Sequence, residues 1–334
     1  MTPVIVCGAD GSDESLAAAE VAGRLAKRLR GRLVVGHVLK RARALPYGHH
    51  EYVDPGSHRT GGEAKHLFER VAARAPEAEI DRRVVHGRPA EALAGLAVNE
   101  DALMSVVGSR GRGPAKAALF GSTSLNLVSK TRRPVAIVPR AGADGDPPDR
   151  EAGAIVCGVD GSQPGLAAAV VASELAGALH AELVLLHVYE PFPAASTPAA
   201  PGAPPPAAAD HERLKQRQRR AAESVLEAVA HGIGARQPTR TVAQAGFAVS
   251  ELAGAAADYA ADLIVVGTHG RSGVAAALMG STSAHIAAAA RTPVLLVPEG
   301  SHQRFKEQLS SLSTTDSPRQ PQAKSAREPQ KRSP

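Results

Sequence analysis

The chain has 334 residues, a formal net charge of +6, and 43% hydrophobic but only 3% aromatic residues. That length holds two ordinary domains, and the shortage of rings argues against the stacking platforms that single-stranded nucleic acids require. No apolar run reaches a membrane span, and about half the charge excess falls from Glu299 onward, where seven basic residues face four acidic ones.

Met1-Thr2-Pro3-Val4 leads straight to Asp10 with no basic or apolar leader, so a cytoplasmic chain is expected. Short Val/Ile-rich runs then alternate with longer segments of helical spacing. Strands are predicted at Pro3–Gly8, Arg32–Val38, Ile80–His86, Leu103–Gly108 and Val135–Val138. Between them, helices are predicted at Asp13–Arg30, about His58–Arg74, Pro89–Asn99 and Ser122–Thr131. In the first helix Ala18, Val21, Ala22, Leu25 and Leu29 share one face. The second half repeats the series, with strands at Ala154–Val159, Leu183–Tyr189, Thr239–Ala245, Leu263–Gly267 and Val294–Val297. Its helices fall near Pro164–Leu179, Asp210–Ala230, Val249–Asp258 and Ser281–Ala290. The expected architecture is α/β: two tandem, doubly wound, parallel five-stranded sheets with helices on both faces. The domains are 1–140 and 153–298, joined by a linker at 141–152 and followed by a basic tail at 299–334. The tail is rich in Ser, Pro and Gln, and its composition predicts disorder. Pro191–Ala209 is a Pro/Ala-rich insertion of the second half. Heavy use of Ala, Arg and Pro suggests a GC-rich bacterial source.

The chemistry lies in two copies of one glycine pattern. Gly108-Ser109-Arg110-Gly111 is followed after nine residues by Gly121-Ser122, and Gly267-Thr268-His269-Gly270 after nine by Gly280-Ser281. Each stands between a predicted strand and helix, where backbone N–H groups can approach a phosphate. The loop after each first strand carries Asp10 or Asp160. If the first and fourth strands are neighbours at the switch point of the sheet, the two loops flank one crevice. The dinucleotide fingerprint G-x-G-x-x-G is absent after the first strand, and so is the G-x-x-x-x-G-K-[ST] phosphate loop. Phosphate contacts would therefore come from backbone amides, from Ser122 and Thr123, and from local arginines, chiefly Arg110 and Arg112 in the first copy and Arg271 in the second.

At these residues the chain resembles a tandem universal stress protein, over roughly 1–140 and 153–298. The resemblance implies the ATP-binding type and a strand order of 3-2-1-4-5. It also implies an intramolecular pseudo-dimer through the fifth strands, with a further homodimer left open. Carried over by motif, the ligand set is Asp10, Val38, Gly108, Gly111, Gly121, Ser122 and Thr123 in the first half. In the second it is Asp160, Val188, Gly267, Gly270, Gly280, Ser281 and Thr282. Asp10 and Asp160 would contact adenine, and Val38 and Val188 would read it through their backbone. The expected ligand is ATP, alone or with Mg2+. The expected role is a nucleotide-dependent regulator in a stress response, with neither membrane nor nucleic acid as a partner. Two departures fall in the first copy: Gly113-Pro114 where the second has Ser272-Gly273, and Ser105, which interrupts the fourth strand where the second half has Ile264.

Plainer readings stand beside these. Asp-Gly-Ser is a good helix start on its own. Cys7 and Cys157, at matching places in apolar runs, read as small hydrophobes. His37 and His187 read as hydrogen-bonded structural groups. His49, His50, His58 and His66 are too loosely spaced for a metal site. No nucleophile, base and orienting group recur together, so no catalytic residues and no enzyme are expected. The alternatives are a slow ATPase or adenylyl-transferring enzyme, and a scaffold with vestigial crevices that acts through its tail.

Overall fold

The computed structural model describes residues 2–39, 61–111, 121–139, 153–190, 208–235, 237–269 and 280–313. The first half runs β1 (Val4–Gly8), α1 (Asp13–Arg28), β2 (Arg32–Leu39), α2 (Gly61–Arg74), β3 (Ile80–His86), α3 (Pro89–Asn99), β4 (Met104–Gly108), α4 (Ser122–Lys130) and β5 (Val135–Val138). The second runs β6 (Ala154–Gly158), α5 (Gln163–Leu179), β7 (Glu182–Tyr189), α6 (Ala208–Ile233), β8 (Thr239–Ala245), α7 (Ala248–Asp258), β9 (Ala261–Gly267), α8 (Ser281–Ala289) and β10 (Val294–Val297). A further helix, α9 (His302–Ser313), follows.

Each half has the 3-2-1-4-5 strand order, but the two sheets are one. The order is β3-β2-β1-β4-β5-β10-β9-β6-β7-β8. All pairings within a half are parallel, and the seam between β5 and β10 is antiparallel, with Val294 opposite Ile137 and Leu296 opposite Val135. The fifth strands thus join the halves as a pseudo-dimer. β1 lies between β2 and β4, and β6 between β7 and β9. This fixes a switch point in each half.

The helices cover both faces. On α1 the predicted stripe is buried, Val21 partly, and alanines there let the helix lie close to the sheet. The largest apolar cluster draws on both halves and is filled by Ala, Val and Leu, with Phe68 and Phe305 its buried rings. Among the described residues no helix is long and apolar enough to cross a membrane, and no group of three or more His, Cys, Asp or Glu is placed to hold a metal ion.

Cys7 and Cys157 are fully buried in β1 and β6. Burial pushes the Cys7 thiol up to about 12 and the Cys157 thiol up as well. Thiolate is the reactive form. Native protein should therefore resist iodoacetamide at neutral pH, and urea-unfolded protein should take up two labels, as intact-mass spectrometry would show. Labelling of the native chain within minutes would contradict this.

Two expectations are corrected. Ser105 does not interrupt β4: it pairs with Val6 and Val135 in a continuous strand. Its buried hydroxyl has no hydrogen-bond partner among the described residues, so Ser105→Ala should raise the midpoint of urea unfolding, by about 1 kcal/mol in stability. Nor is the tail disordered from residue 299. Residues 302–313 form α9, with Phe305 and Leu309 buried at 1% and 4% exposure in the main cluster. Across the seam Arg304 donates to Asp101 Oδ1, and Gln308 Nε2 donates to the Asp101 carbonyl at 2.8 Å and to Oδ1 at 3.0 Å. Two apolar side chains one helical turn apart, meeting an open core face, outweigh the polar composition around them. Residues 314–334, the linker at 141–152, most of the 191–209 insertion, Gly113-Pro114, Ser272-Gly273 and the His49, His50 and His58 group lie outside the described residues.

Candidate functional site

Each crevice begins with the turn after the half's first strand. Asp10 Oδ1 accepts from the Ser12 amide at 3.0 Å and from its hydroxyl at 2.6 Å. Asp160 does the same with Ser162, at 3.0 and 2.5 Å. The helix N-caps are therefore Ser12 and Ser162, which accept from the Ser15 and Gly165 amides, while the aspartates brace them. Gly11 and Gly161 stand at φ 83° and 78°, a conformation that suits glycine. His37 Nδ1 meets the Ala9 carbonyl at 2.9 Å, and His187 Nδ1 meets that of Val159 at 2.8 Å. Both histidines thus pin the turn from the neighbouring strand, the structural role expected of them. In the first half Arg70 of α2 adds a bond to the Gly11 carbonyl at 3.1 Å.

The glycine loops close against these turns. A methyl group on Gly111 would lie 2.5 Å from Asp10 Oδ2, so the two loops touch there. On Gly108 it would lie 2.7 Å from the Glu14 carbonyl carbon, and on Gly267 2.7 Å from the Pro164 carbonyl oxygen. Only glycine permits that approach between β4 or β9 and the first turn of α1 or α5. The amide of Gly121 donates to the Ser109 carbonyl at 2.8 Å, and that of Gly280 to the Thr268 carbonyl at 2.7 Å. Neither α4 nor α8 has a side-chain cap at its N-terminus. The first turns begin with Ser122-Thr123 and Ser281-Thr282, and their N–H groups and helix dipole favour an anion.

The second crevice is an open cleft of about 240 Å³. One wall is apolar, with Val188, Leu252 and Val266 beside Leu186 and Ala248. The other end holds Asp160, Gly267, His269, Gly280, Ser281 and Thr282. The fold thus gathers the named residues of the second half into one space, except Gly270, which lies outside the described residues. In the first half it joins Asp10 to Gly111, and Gly121 to the Arg110 backbone. Val38 packs at the margin of the apolar cluster on that face, and Ser122 is exposed. Arg112 and Arg271 lie outside the described residues.

Two features escaped the sequence reading. Ser124 and Ser283 donate from inside α4 and α8 to the Gly108 and Gly267 carbonyls, at 2.7 and 2.6 Å, and lock each loop to its strand. The repeated string Gly-Ser-Thr-Ser was the available signal. Phe247 is 74% exposed at the start of α7, next to Ala248 on the cleft wall. Arg88 holds its place in the first half.

The donor set of the second cleft suits a ligand with a flat apolar portion, a polar edge facing Asp160, and an anionic end at the start of α8. An adenine nucleotide has these parts. Asp160 and His269 are the ionisable groups among the described lining residues. A magnesium ion there would thus depend largely on the phosphates for its ligands.

Comparison with known proteins gives a consistent result. The model of the universal stress protein family matches residues 1–139 and again 152–298. Universal stress protein Rv1996 of Mycobacterium tuberculosis is 28% identical over 315 residues, covering 87% of this chain and 94% of its own. Universal stress protein Mb2028c of Mycobacterium bovis is 29% identical over 302 residues, covering 87% and 96%. The crystal structure of a universal stress protein from Archaeoglobus fulgidus superposes with a TM-score of 0.57 at 20% identity, over 89% of this chain and 96% of that one. That likeness concerns the fold.

Proposed function

The chain belongs to the universal stress protein family, and from that premise we propose that it binds ATP in the crevice of each half and acts as a nucleotide-dependent regulator in a stress response. One observation carries the reading: a single cleft joins an apolar wall, a braced carboxylate and an uncapped helix N-terminus. Those are the complements of base, polar edge and phosphate. Binding without turnover is part of the proposal. The crevice aspartates spend one carboxylate oxygen on holding a helix cap, and phosphoryl transfer is served by metal-holding carboxylates and a phosphate-loop lysine. Occupancy would act by favouring one arrangement of the halves or of a partner surface.

Mass spectrometry of the purified chain for co-purifying nucleotide is the first test, followed by calorimetry with ATP, ADP, AMP and cyclic AMP. Binding of ATP supports the reading, and failure to bind any of the four would sink it. Magnesium-dependent product above a buffer blank would favour a slow enzyme instead.

Phe247 offers a sharper check. An exposed ring at the lip of the apolar wall is placed to cover a bound base, and base–aromatic stacking is worth about 1–3 kcal/mol. Phe247→Ala should therefore weaken one of two ATP sites roughly tenfold or more and leave the other unchanged. Two unaltered sites would rule out that role.

A further inference from the structure

A second cleft, of about 200 Å³, lies at the seam between the halves. Glu14 at the start of α1, Ser109 and Arg110 of the first glycine loop, and Pro139 form one side. The end of α8 and Arg291 form the other. The topology explains the meeting. Because β5 and β10 are antiparallel, the carboxyl ends of β4 and β5 lie beside the amino end of β10, which Arg291 precedes.

We propose that this seam cleft is a phosphate-binding site, gripped by Arg110 from one half and Arg291 from the other. The two guanidinium groups offer only donors, and their planar forks match phosphate oxygens. Ser109 adds a hydroxyl, and Glu14 is the single carboxylate among the described lining residues. The volume equals that of roughly six or seven waters at ~30 Å³ each, enough for a phosphate group and part of its hydration. The site is built into one half more strongly than the other. At the pseudosymmetric positions Pro164 and His269 of the second half stand for Glu14 and Arg110, and Arg132 of the first half stands for Arg291. The matching contacts of Gly108 on Glu14 and of Gly267 on Pro164 support that correspondence. The phosphate could be free or could be the terminal group of a nucleotide in the first crevice, since Arg110 stands in the first glycine loop with its backbone beside Gly121 and also lines the seam cleft. Only the second source rests on the nucleotide reading above.

The test is calorimetry of the full chain and of Arg291→Gln, Arg110→Gln, Arg291→Lys and Glu14→Gln, with inorganic phosphate, ATP and adenosine as titrants. Both arginines are exposed, so thermal melts should match wild type. Phosphate affinity should fall at least tenfold in Arg291→Gln and Arg110→Gln, and recover partly in Arg291→Lys, which keeps charge without the fork. In Glu14→Gln it should rise severalfold. That opposite sign is one a merely structural role would not produce. An ATP affinity that falls in Arg291→Gln while adenosine binding holds supports the nucleotide source, and an effect on phosphate alone supports the free ion. Phosphate and ATP binding both indifferent to Arg291 would overturn the proposal. Arginine-dependent phosphate binding in a chain that takes no ATP would uphold the seam site and sink the nucleotide reading.

Discussion

Replacing Phe305 by alanine should destabilise the chain by about 3–5 kcal/mol, the usual cost of removing a buried phenylalanine. The ring is 1% exposed and packs in the main core. Its helix is held to the first half by Arg304 and Gln308 on Asp101. Urea unfolding measures the loss, and hydrogen exchange should show faster exchange along 304–309. An unchanged midpoint with unchanged protection would show that α9 adds nothing. The polar side of the clamp carries a pH signature. The hydrogen bond from Arg304, with a further one from Arg133, holds the Asp101 carboxyl below its ordinary value of 3.8. A carboxyl lowered on folding stabilises above that ordinary value and loses its contribution as pH falls through the lowered native one. Asp101 is 42% exposed, so solvent screening keeps the effect small. Asp101→Asn should lower neutral stability and flatten the acid limb of the curve.

The second large effect is expected at Gly267. Its added methyl would sit 2.7 Å from the Pro164 carbonyl oxygen and 2.8 Å from the carbonyl carbon. Both are backbone atoms in the first turn of α5, and they cannot swing aside as a side chain end can. Gly267→Ala should cost about 1–3 kcal/mol by overpacking. It should also push the Asp160 turn away from the glycine loop, so that, on the proposed ATP-binding reading, calorimetry finds one site instead of two. Gly121→Ala is the contrast. Its new methyl would meet nothing closer than 3.3 Å, and the backbone there, at φ −69° and ψ 139°, suits alanine. It should fold and bind nearly as wild type. Equal damage from both changes would refute this account of the glycines, under which the first position sets strand–helix contact and the third opens a helix.

The reasons for success and failure in reading the sequence are physical. β-branched runs between glycine turns marked the strands closely, because buried parallel strands are continuously apolar. The aspartate and glycine loops were legible because they occur twice in register. α9 was not, because its signal is two apolar residues in a Ser/Gln-rich context and depends on a core face that exists only after folding. Ser105 misled because one hydroxyl weighs little against a full set of strand hydrogen bonds. Phe247 was missed because the halves differ there, and the repeat was the guide. The cleft at the seam depends on which ends of β5 and β10 coincide. The sequence carries no signal for that beyond the implied pairing of fifth strands.

The antiparallel join of β5 to β10 also bears on how such a molecule can change. In a pair of identical subunits, every substitution is made twice and must suit both copies of a site. Here the partner is carried in the same chain, so a change falls on one side alone. Glu14 faces Pro164 across the pseudo-twofold, Arg110 faces His269, and Arg88 faces Phe247. Each pair marks a position where the halves have taken separate courses under a shared sheet. One chain thus carries two crevices whose surroundings differ at these positions, joined under a single ten-stranded sheet.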